Sequence, residues 1–134
     1  KPFKRFGAPW IDNAKLSNRL NEINMPGVEF KPVTYIPTDI AGMAINPTFK
    51  NKICKGIEIK IIDRDIYQSV QIGLNIISIL RDEYPNKFVI NDKRMISLLG
   101  VDELNILNEM PIDLKTIFSI KNFIETSKKY ILYN

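Results

Sequence analysis

The residues of this chain that could do chemistry are carboxylates, cations and one indole, because its 134 residues include no histidine and a single cysteine. Without histidine, the Ser-His-Asp and Cys-His arrangements of nucleophilic catalysis are excluded, and so are the usual zinc sites. The six glycines are dispersed and form neither a P-loop nor a dinucleotide fingerprint, and no GxSxG segment is present. We therefore assign no catalytic residue, metal ligand or cofactor, and expect carboxylate chemistry, cationic recognition and aromatic stacking.

The first candidate site is the segment Asp63-Arg64-Asp65, which lies where the strongest predicted strand gives way to the strongest predicted helix. Functional groups are common at the ends of strands. An arginine between two acids can bind a substrate carboxylate through charge-assisted hydrogen bonds. The alternative is structural: Asp65 is the N-cap of the helix and Arg64 pairs locally.

The second candidate is Trp10, the only tryptophan, which follows the small residues of Gly7-Ala8-Pro9. Small residues let a ligand or another backbone approach closely. An exposed indole beside a turn can stack on a sugar face and donate its N–H. The alternative is a core position beneath the first helix.

The third candidate is the loop at 37–51, together with the residues that follow it. The loop contains Thr38, shows neither helical nor strand periodicity, and has a length that is more typical of functional loops than of simple connections. Lys55 could bind an anion or could simply be solvated. Its neighbour Cys54 is expected to be a small buried hydrophobe.

Apolar spacing predicts the elements that position these residues. Strands are expected at 4–8, 28–36 and 53–63, and Pro32 marks the second of them as an edge strand or a bulged one. A first helix is predicted from a cap at Asp12 or Asn13 to the stop at Met25-Pro26-Gly27. A second helix is predicted over 65–84, where the apolar stripe is wide enough to indicate burial on more than one side.

The remainder of the chain is predicted to hold shorter elements. They are an extended piece at 87–90, a brief helix near 95–99, another short helix after Asp102, a helix from Asp113 to Lys128 and a final strand at 130–133. The order of elements is not a regular βαβ alternation. It predicts a single α+β domain over 1–134, with a small mixed β-sheet packed by helices.

Composition and charge exclude several classes of protein. Apolar residues make up 45% and charged residues 25%, which is typical of a folded globular protein. No stretch approaches the roughly 18 apolar residues of a membrane span, so no membrane insertion is expected. The net charge of +4 is modest and the basic residues are not interleaved with aromatics, which argues against nucleic-acid binding. The chain begins with lysine, which predicts a processed form or a piece of a longer protein.

Many of these residues recur, in order, in a known family. The segments that carry the resemblance are Phe6-Gly7-Ala8-Pro9-Trp10-Ile11-Asp12, Pro26-Gly27-Val28, Phe30-Lys31-Pro32, Pro37-Thr38, Cys54-Lys55-Gly56-Ile57, Ile62-Asp63-Arg64, Gly73-Leu74, Tyr84-Pro85, Leu99-Gly100 and Tyr130-Ile131-Leu132-Tyr133. Each segment is short, but together they cover essentially the whole chain. The sequence thus resembles the C-terminal domain of the NamZ-type exo-β-N-acetylmuramidases, formerly a domain of unknown function.

This resemblance implies a bacterial cell-wall glycosidase that removes N-acetylmuramic acid from the non-reducing ends of peptidoglycan fragments. In such enzymes a Rossmann-like N-terminal domain supplies most of the catalytic machinery, and the C-terminal accessory domain forms one side of the substrate cleft. The N-terminal domain is absent from this sequence, so we expect these residues alone to be inactive. The implied partners are peptidoglycan fragments and that N-terminal domain. The compartment stays open, with export to the cell envelope as one option.

The resemblance also sharpens the candidate site. Muramic acid carries a lactyl carboxylate, which Arg64 or Lys55 could bind, while Trp10 and the loop of Thr38 could line the sugar pocket. Asp63, beside Arg64, belongs to the same candidate set. Two other interpretations remain open: a non-catalytic module that binds glycans or a protein partner, and a structural lid recognisable by a large exposed apolar patch.

Overall fold

The computed structural model describes residues 4–42 and 44–99, and the chain divides into two compact units, 1–68 and 69–134. The elements of the first unit are β1 (Arg5–Ala8), α1 (Asn13–Glu22), β2 (Val28–Tyr35) and β3 (Cys54–Ile61). The described part of the second unit contains α2 (Ser69–Glu83) and α3 (Asp92–Leu99). The elements predicted beyond Gly100 lie outside the described residues, and a single domain over the whole chain stays a prediction.

The first unit is built on an antiparallel sheet with the strand order β1-β3-β2. Helix α1 packs against β2 and β3, which confirms the predicted α+β class. The expected mixed pairing is not found among the described strands. The loop between β2 and β3 turns the chain directly back on itself, whereas a parallel pair would need a crossover. The strand predicted at 130–133 lies outside the described residues.

Helix α1 begins where its N-cap signal predicts and ends at Glu22, three residues before the predicted stop at Met25. The Asp12 side chain accepts a hydrogen bond from the backbone N–H of Lys15 at 3.1 Å, the usual geometry of an N-cap. Leu16 and Leu20, one turn apart on the same face, are buried. After the helix, Gly27 has a φ of +75°, and an added Cβ there would lie 2.4 Å from a backbone oxygen, so the turn requires glycine.

A row of polar side chains on α1 binds the backbone of β2. Asn21 accepts a hydrogen bond from the backbone N–H of Phe30 at 3.0 Å and donates one to its carbonyl oxygen at 2.9 Å. The Ser17 hydroxyl donates to the same carbonyl at 2.8 Å, and the Asn13 amide donates to the carbonyl of Val33 at 3.0 Å. These side chains, spaced four residues apart, take the place of a neighbouring strand.

Pro32 lies in β2, opposite Ile57 of β3. Pro32 and Phe30 are two residues apart in the strand, so their backbone groups point to the same side. The N–H and carbonyl of Phe30 point away from β3 and toward α1. A proline at such a position removes no hydrogen bond from the ladder. The prediction that Pro32 marks an edge strand is confirmed for the described sheet.

Strands β1 and β3 come unusually close where Gly7 lies opposite Gly56. A Cβ added to Gly56 would lie 1.9 Å from the backbone oxygen of Phe6, and one added to Gly7 would lie 2.5 Å from the backbone oxygen of Lys55. Neither position can hold a side chain unless a strand moves. The close approach predicted near Trp10 is therefore an approach between two backbones.

Helix α2 begins at Ser69, four residues later than predicted, and seven of its fifteen residues are buried. The buried residues are Ile72, Leu74, Asn75, Ile76, Ser78, Ile79 and Leu80. They surround much of the helix, as the width of the stripe predicts. Val70, near the start of the helix, is 53% exposed. No strand forms at 87–90, and α3 begins at Asp92, three residues before its predicted start.

Candidate functional site

The register of the sheet separates the five candidate residues into two groups. Lys55 lies opposite both Ala8 of β1 and Thr34 of β2, so the end of β1 and the end of β2 meet at the start of β3. Trp10 follows β1 by two residues and Thr38 follows β2 by three. We call this region, comprising Trp10, Thr38 and Lys55, the Lys55 end of the sheet.

Asp63 and Arg64 lie at the other end of β3, beyond Ile61, which pairs with the first residue of β2. We call this region the Arg64 end. The six residue steps from Lys55 to Ile61 are extended strand and span roughly 20 Å at about 3.3 Å per residue, and Arg64 lies beyond that end of β3. The structure therefore does not bring the five candidates into one site.

The Arg64 end is a turn held by its own backbone and side chains. The backbone N–H groups of Ile62 and Asp63 both donate to the Gly27 carbonyl, at 2.9 and 3.3 Å. The Asp63 carboxylate accepts from the N–H of Asp65 at 2.9 Å. The alternative in which Asp65 caps α2 is wrong, because that helix begins four residues further on. Arg64 is exposed and has no ion pair with any residue that the structure describes.

At the Lys55 end, Trp10 lies in the turn that follows β1. The N–H of Ile11 donates to the carbonyl of Ala8 at 3.3 Å, and both of these residues are buried. Trp10 between them is half-buried, so part of the ring faces outward. Lys55 and Thr38 are exposed. This end of the sheet combines a cation, a hydroxyl and an aromatic surface.

The loop between β2 and β3 has a defined conformation. The carboxylate of Asp39 forms an ion pair with Lys50 and accepts a hydrogen bond from the N–H of Asn46 at 2.8 Å. Ile40 and Ala44 exchange two backbone hydrogen bonds, of 2.9 and 3.0 Å. Asn46 has a positive φ of 54°, a conformation that asparagine tolerates better than most residues. The loop is thus ordered by Asp39 rather than by a helix or strand.

Asp39 gives this loop a predictable dependence on pH. The Lys50 ammonium, and secondly the N–H of Asn46, favour the carboxylate and hold the pKa of Asp39 below its ordinary value. Because the pKa is lowered by folding, the stabilisation is fully present above the ordinary aspartate pKa of about 3.9 and is lost as the pH falls through the lowered value. We expect the NMR resonance of the Asn46 amide to titrate with a midpoint below 3.9. The titration should be absent in Asp39→Asn, and a midpoint at or above the ordinary value would contradict the assignment.

Arg5, which the sequence did not single out, also reaches the Lys55 end. It is paired with Glu58 in the register, yet its guanidinium lies 4.7 Å from the centre of the Tyr35 ring, a cation–π contact. Burial, and then the neighbouring Cys54, raise the pKa of Tyr35, whereas Arg5 opposes the rise.

Cys54 is fully buried, as predicted. Burial raises the pKa of its thiol above the ordinary value, and the nearby Lys52 offsets this only in part. Since the thiolate is the reactive form, Cys54 is not suited to act as a nucleophile. It packs as a small hydrophobic residue.

A concave surface lies within the 69–134 unit. It is a groove of about 200 Å³ lined by Ile77, Phe88, Val89, Ile90, Asn91, Arg94, Met95 and Leu98. Val89 and Leu98 are 85% and 74% exposed. The lining is mostly apolar and includes one cation, which fits an apolar segment of a partner better than a sugar.

Within 4–42 and 44–99, no three histidine, cysteine or acidic side chains are grouped so that they could bind a metal ion. None of the helices described is both long enough and apolar enough to cross a bilayer.

The fold has a counterpart of known structure. The crystal structure of a DUF1343 family protein from Bacteroides fragilis matches 99% of this chain with a TM-score of 0.72 and 23% identity. The match covers 36% of that protein. At this identity the likeness establishes the fold alone.

Sequence comparison identifies the family. The family described as "Exo-beta-N-acetylmuramidase NamZ, C-terminal" matches residues 1–133, and the chain belongs to this family. A curated relative, the peptidoglycan beta-N-acetylmuramidase NamZ of Bacillus subtilis (strain 168), is 28% identical over 99% of the chain. The resemblance predicted from the sequence is thereby confirmed. The chain spans about a third of the relative's length, 32%, so it is a glycosidase-related domain that corresponds to the C-terminal region of longer proteins.

Proposed function

We propose that this chain is the C-terminal part of a peptidoglycan exo-β-N-acetylmuramidase and that its Lys55 end forms one side of the substrate cleft. The observation that carries the proposal is the antiparallel register, which brings the ends of β1 and β2 to the start of β3. In this proposal the catalytic groups come from the rest of the longer protein, in a Rossmann-like domain. This chain contributes recognition of the sugar.

Each residue of the Lys55 end has a role that matches a part of muramic acid. The Lys55 ammonium binds the lactyl carboxylate through a charge-assisted hydrogen bond. The outward part of the Trp10 ring stacks on the sugar face, and the Thr38 hydroxyl can donate to or accept from the sugar. Because the loop is already ordered, Thr38 is held in place and the loop loses little conformational entropy when the sugar binds.

Local charge favours Lys55 over Arg64 as the group that binds the carboxylate. Arg64 lies between two aspartates, whose charges repel an approaching carboxylate. The residues that pair with Lys55 in the sheet, Ala8 and Thr34, are uncharged. The Lys55 end therefore presents the more favourable field to an anionic sugar.

Substitution of Lys55 tests the proposal. In the longer protein, Lys55→Ala should raise the KM for a muramic acid substrate about tenfold with little change in kcat, which is the size of one charge-assisted hydrogen bond. The effect should disappear with an otherwise identical substrate that lacks the lactyl carboxylate. Lys60→Ala is the matched control, since Lys60 is another exposed lysine of β3, near its other end and 3.4 Å from Glu29.

Two results would refute the placement of the substrate. One is an unchanged KM in Lys55→Ala. The other is a rise in KM in Arg64→Ala but not in Lys55→Ala, which would move the carboxylate to the Arg64 end.

A second candidate function is a non-catalytic module that binds a glycan or a protein partner, and the groove lined by Val89 and Leu98 is the observation that favours it. The two functions differ in what this chain does without the rest of the protein. Binding of an apolar peptide by the chain alone, with NMR shifts confined to the groove, would favour the module.

A further inference from the structure

Four large apolar side chains are exposed on the segment that joins β2 to β3. They are Ile36, 53% exposed, Ile40, 51%, Ile45, 86%, and Ile53, 63%. We call them the isoleucine surface. Exposed apolar residues also occur close together in the sequence around Arg64, where they are Ile61, Ile62, Ile66 and Val70. The isoleucine surface differs from that group because it adjoins the proposed sugar site.

Two of these isoleucines, Ile40 and Ile45, lie on a loop whose conformation is held by its own hydrogen bonds. Asp39 binds Lys50 and the N–H of Asn46, and the carbonyl of Pro37 accepts from the N–H of Asn51 at 2.9 Å. A loop without such bonds could fold its apolar side chains against the sheet. Here the bonds span the loop from 37 to 51 and hold it in one conformation.

The isoleucine surface adjoins the proposed sugar site. Tyr35 pairs with Cys54 in the last step of the β2–β3 ladder, so Ile36 and Ile53 are the next residues on the two chains. Side chains two residues apart share a face of an extended chain, which places Ile53 beside Lys55. The apolar side chains thus border the polar ones.

We infer that the isoleucine surface is where the remainder of the longer chain docks. This inference rests on the proposed function. The chain spans 32% of its curated relative and 36% of the related crystal structure, so in both proteins about two-thirds of the chain lies outside the matched region. Because the rest of the longer chain is covalently linked to this domain, its local concentration at the isoleucine surface is always high. Its contact would close one side of the cleft and leave Lys55 facing the sugar.

Thiol labelling in the longer protein tests the inference, after any cysteine outside this chain has been replaced by serine. The native Cys54 is fully buried and should react slowly. The thiols introduced by Ile40→Cys and by Ile45→Cys should react with a maleimide at least about tenfold more slowly in the native protein than in denaturant, because docking covers them. The rate of each variant in denaturant is its own reference. Ile62→Cys is the matched control: Ile62 is 63% exposed, lies at the Arg64 end and should react near the denatured rate.

Three results would overturn the inference. They are labelling of Ile40→Cys and Ile45→Cys at the denatured rate, equal protection of Ile62→Cys, and protection that disappears on dilution, which would make a second copy the occupant. The KM of Lys55→Ala is measured on the same protein and separates the two proposals. A raised KM with an unprotected loop refutes the docking surface alone, whereas a protected loop with an unchanged KM refutes the sugar site alone.

Discussion

Gly56→Ala is expected to destabilise the protein by about 3 kcal/mol or more, a value at the upper end for single substitutions. The added Cβ would lie 1.9 Å from the backbone oxygen of Phe6, 2.6 Å from the Cα of Gly7 and 2.8 Å from the carbonyl carbon of Phe6. All three atoms belong to the backbone of β1, so no side-chain rotation can relieve the clash. Strand β1 must move away from β3, and it has no other partner among the described strands.

Gly73→Ala is the matched control for this experiment. Gly73 lies inside α2, and an added Cβ would have no contact within 4 Å. Alanine is favoured over glycine in a helix by about 0.5–1 kcal/mol, so this variant should be slightly more stable than the natural sequence. Urea unfolding followed by circular dichroism measures both. A Gly56→Ala variant within about 0.5 kcal/mol of the natural protein would refute the close approach of β1 and β3.

Asn21→Ala is expected to cost about 2 kcal/mol, because it removes both hydrogen bonds between α1 and Phe30. Phe30 is 2% exposed, so its N–H cannot turn to water when Asn21 is lost. Its carbonyl keeps the bond from the Ser17 hydroxyl at 2.8 Å. The unsatisfied N–H therefore dominates the cost.

Asn18→Ala provides the comparison, since Asn18 is exposed on the same helix. The same change of residue type there should leave the free energy of unfolding unchanged or slightly raised, because alanine is the better helix former. Hydrogen exchange at the Phe30 amide gives a local measure and should accelerate in Asn21→Ala only. Equal stability of the two variants would mean that the side chain of Asn21 does not support β2.

The parts of the fold that the sequence predicts are those set by local chemistry. Asp12 and Gly27 bracket the first helix, and Pro32 marks an edge strand, because each acts on its own backbone. The start of α2 is missed for a related reason: the Asp63 carboxylate takes the N–H of Asp65 and fixes a turn where a helix cap was expected. Local competition between two such motifs is not visible in apolar spacing.

The polar row on α1 was missed because its spacing has two meanings. Asn13, Ser17 and Asn21 are four residues apart, which is also the pattern of a solvated helix face. Lys15 and Arg19 also border the apolar row of Leu16 and Leu20 and are exposed, so only the structure distinguishes the two meanings.

The candidate site shows what a sequence leaves open about geometry. Lys55 and Arg64 are nine residues apart, and the sequence alone does not tell which of them lies near Trp10 and Thr38. Only the strand order and the antiparallel direction decide that Trp10 and Thr38 accompany Lys55. Arg5 was missed because its contact with Tyr35 joins the two outer strands of the sheet.

The hydrogen bonds that α1 makes with β2 also bear on how the protein behaves at high concentration. An open strand edge can recruit a strand from another molecule and so start aggregation. At the outer edge of β2, the N–H of Phe30 is already occupied by Asn21, and Pro32 has no N–H to offer. An incoming strand would find no two successive donors there to template its addition.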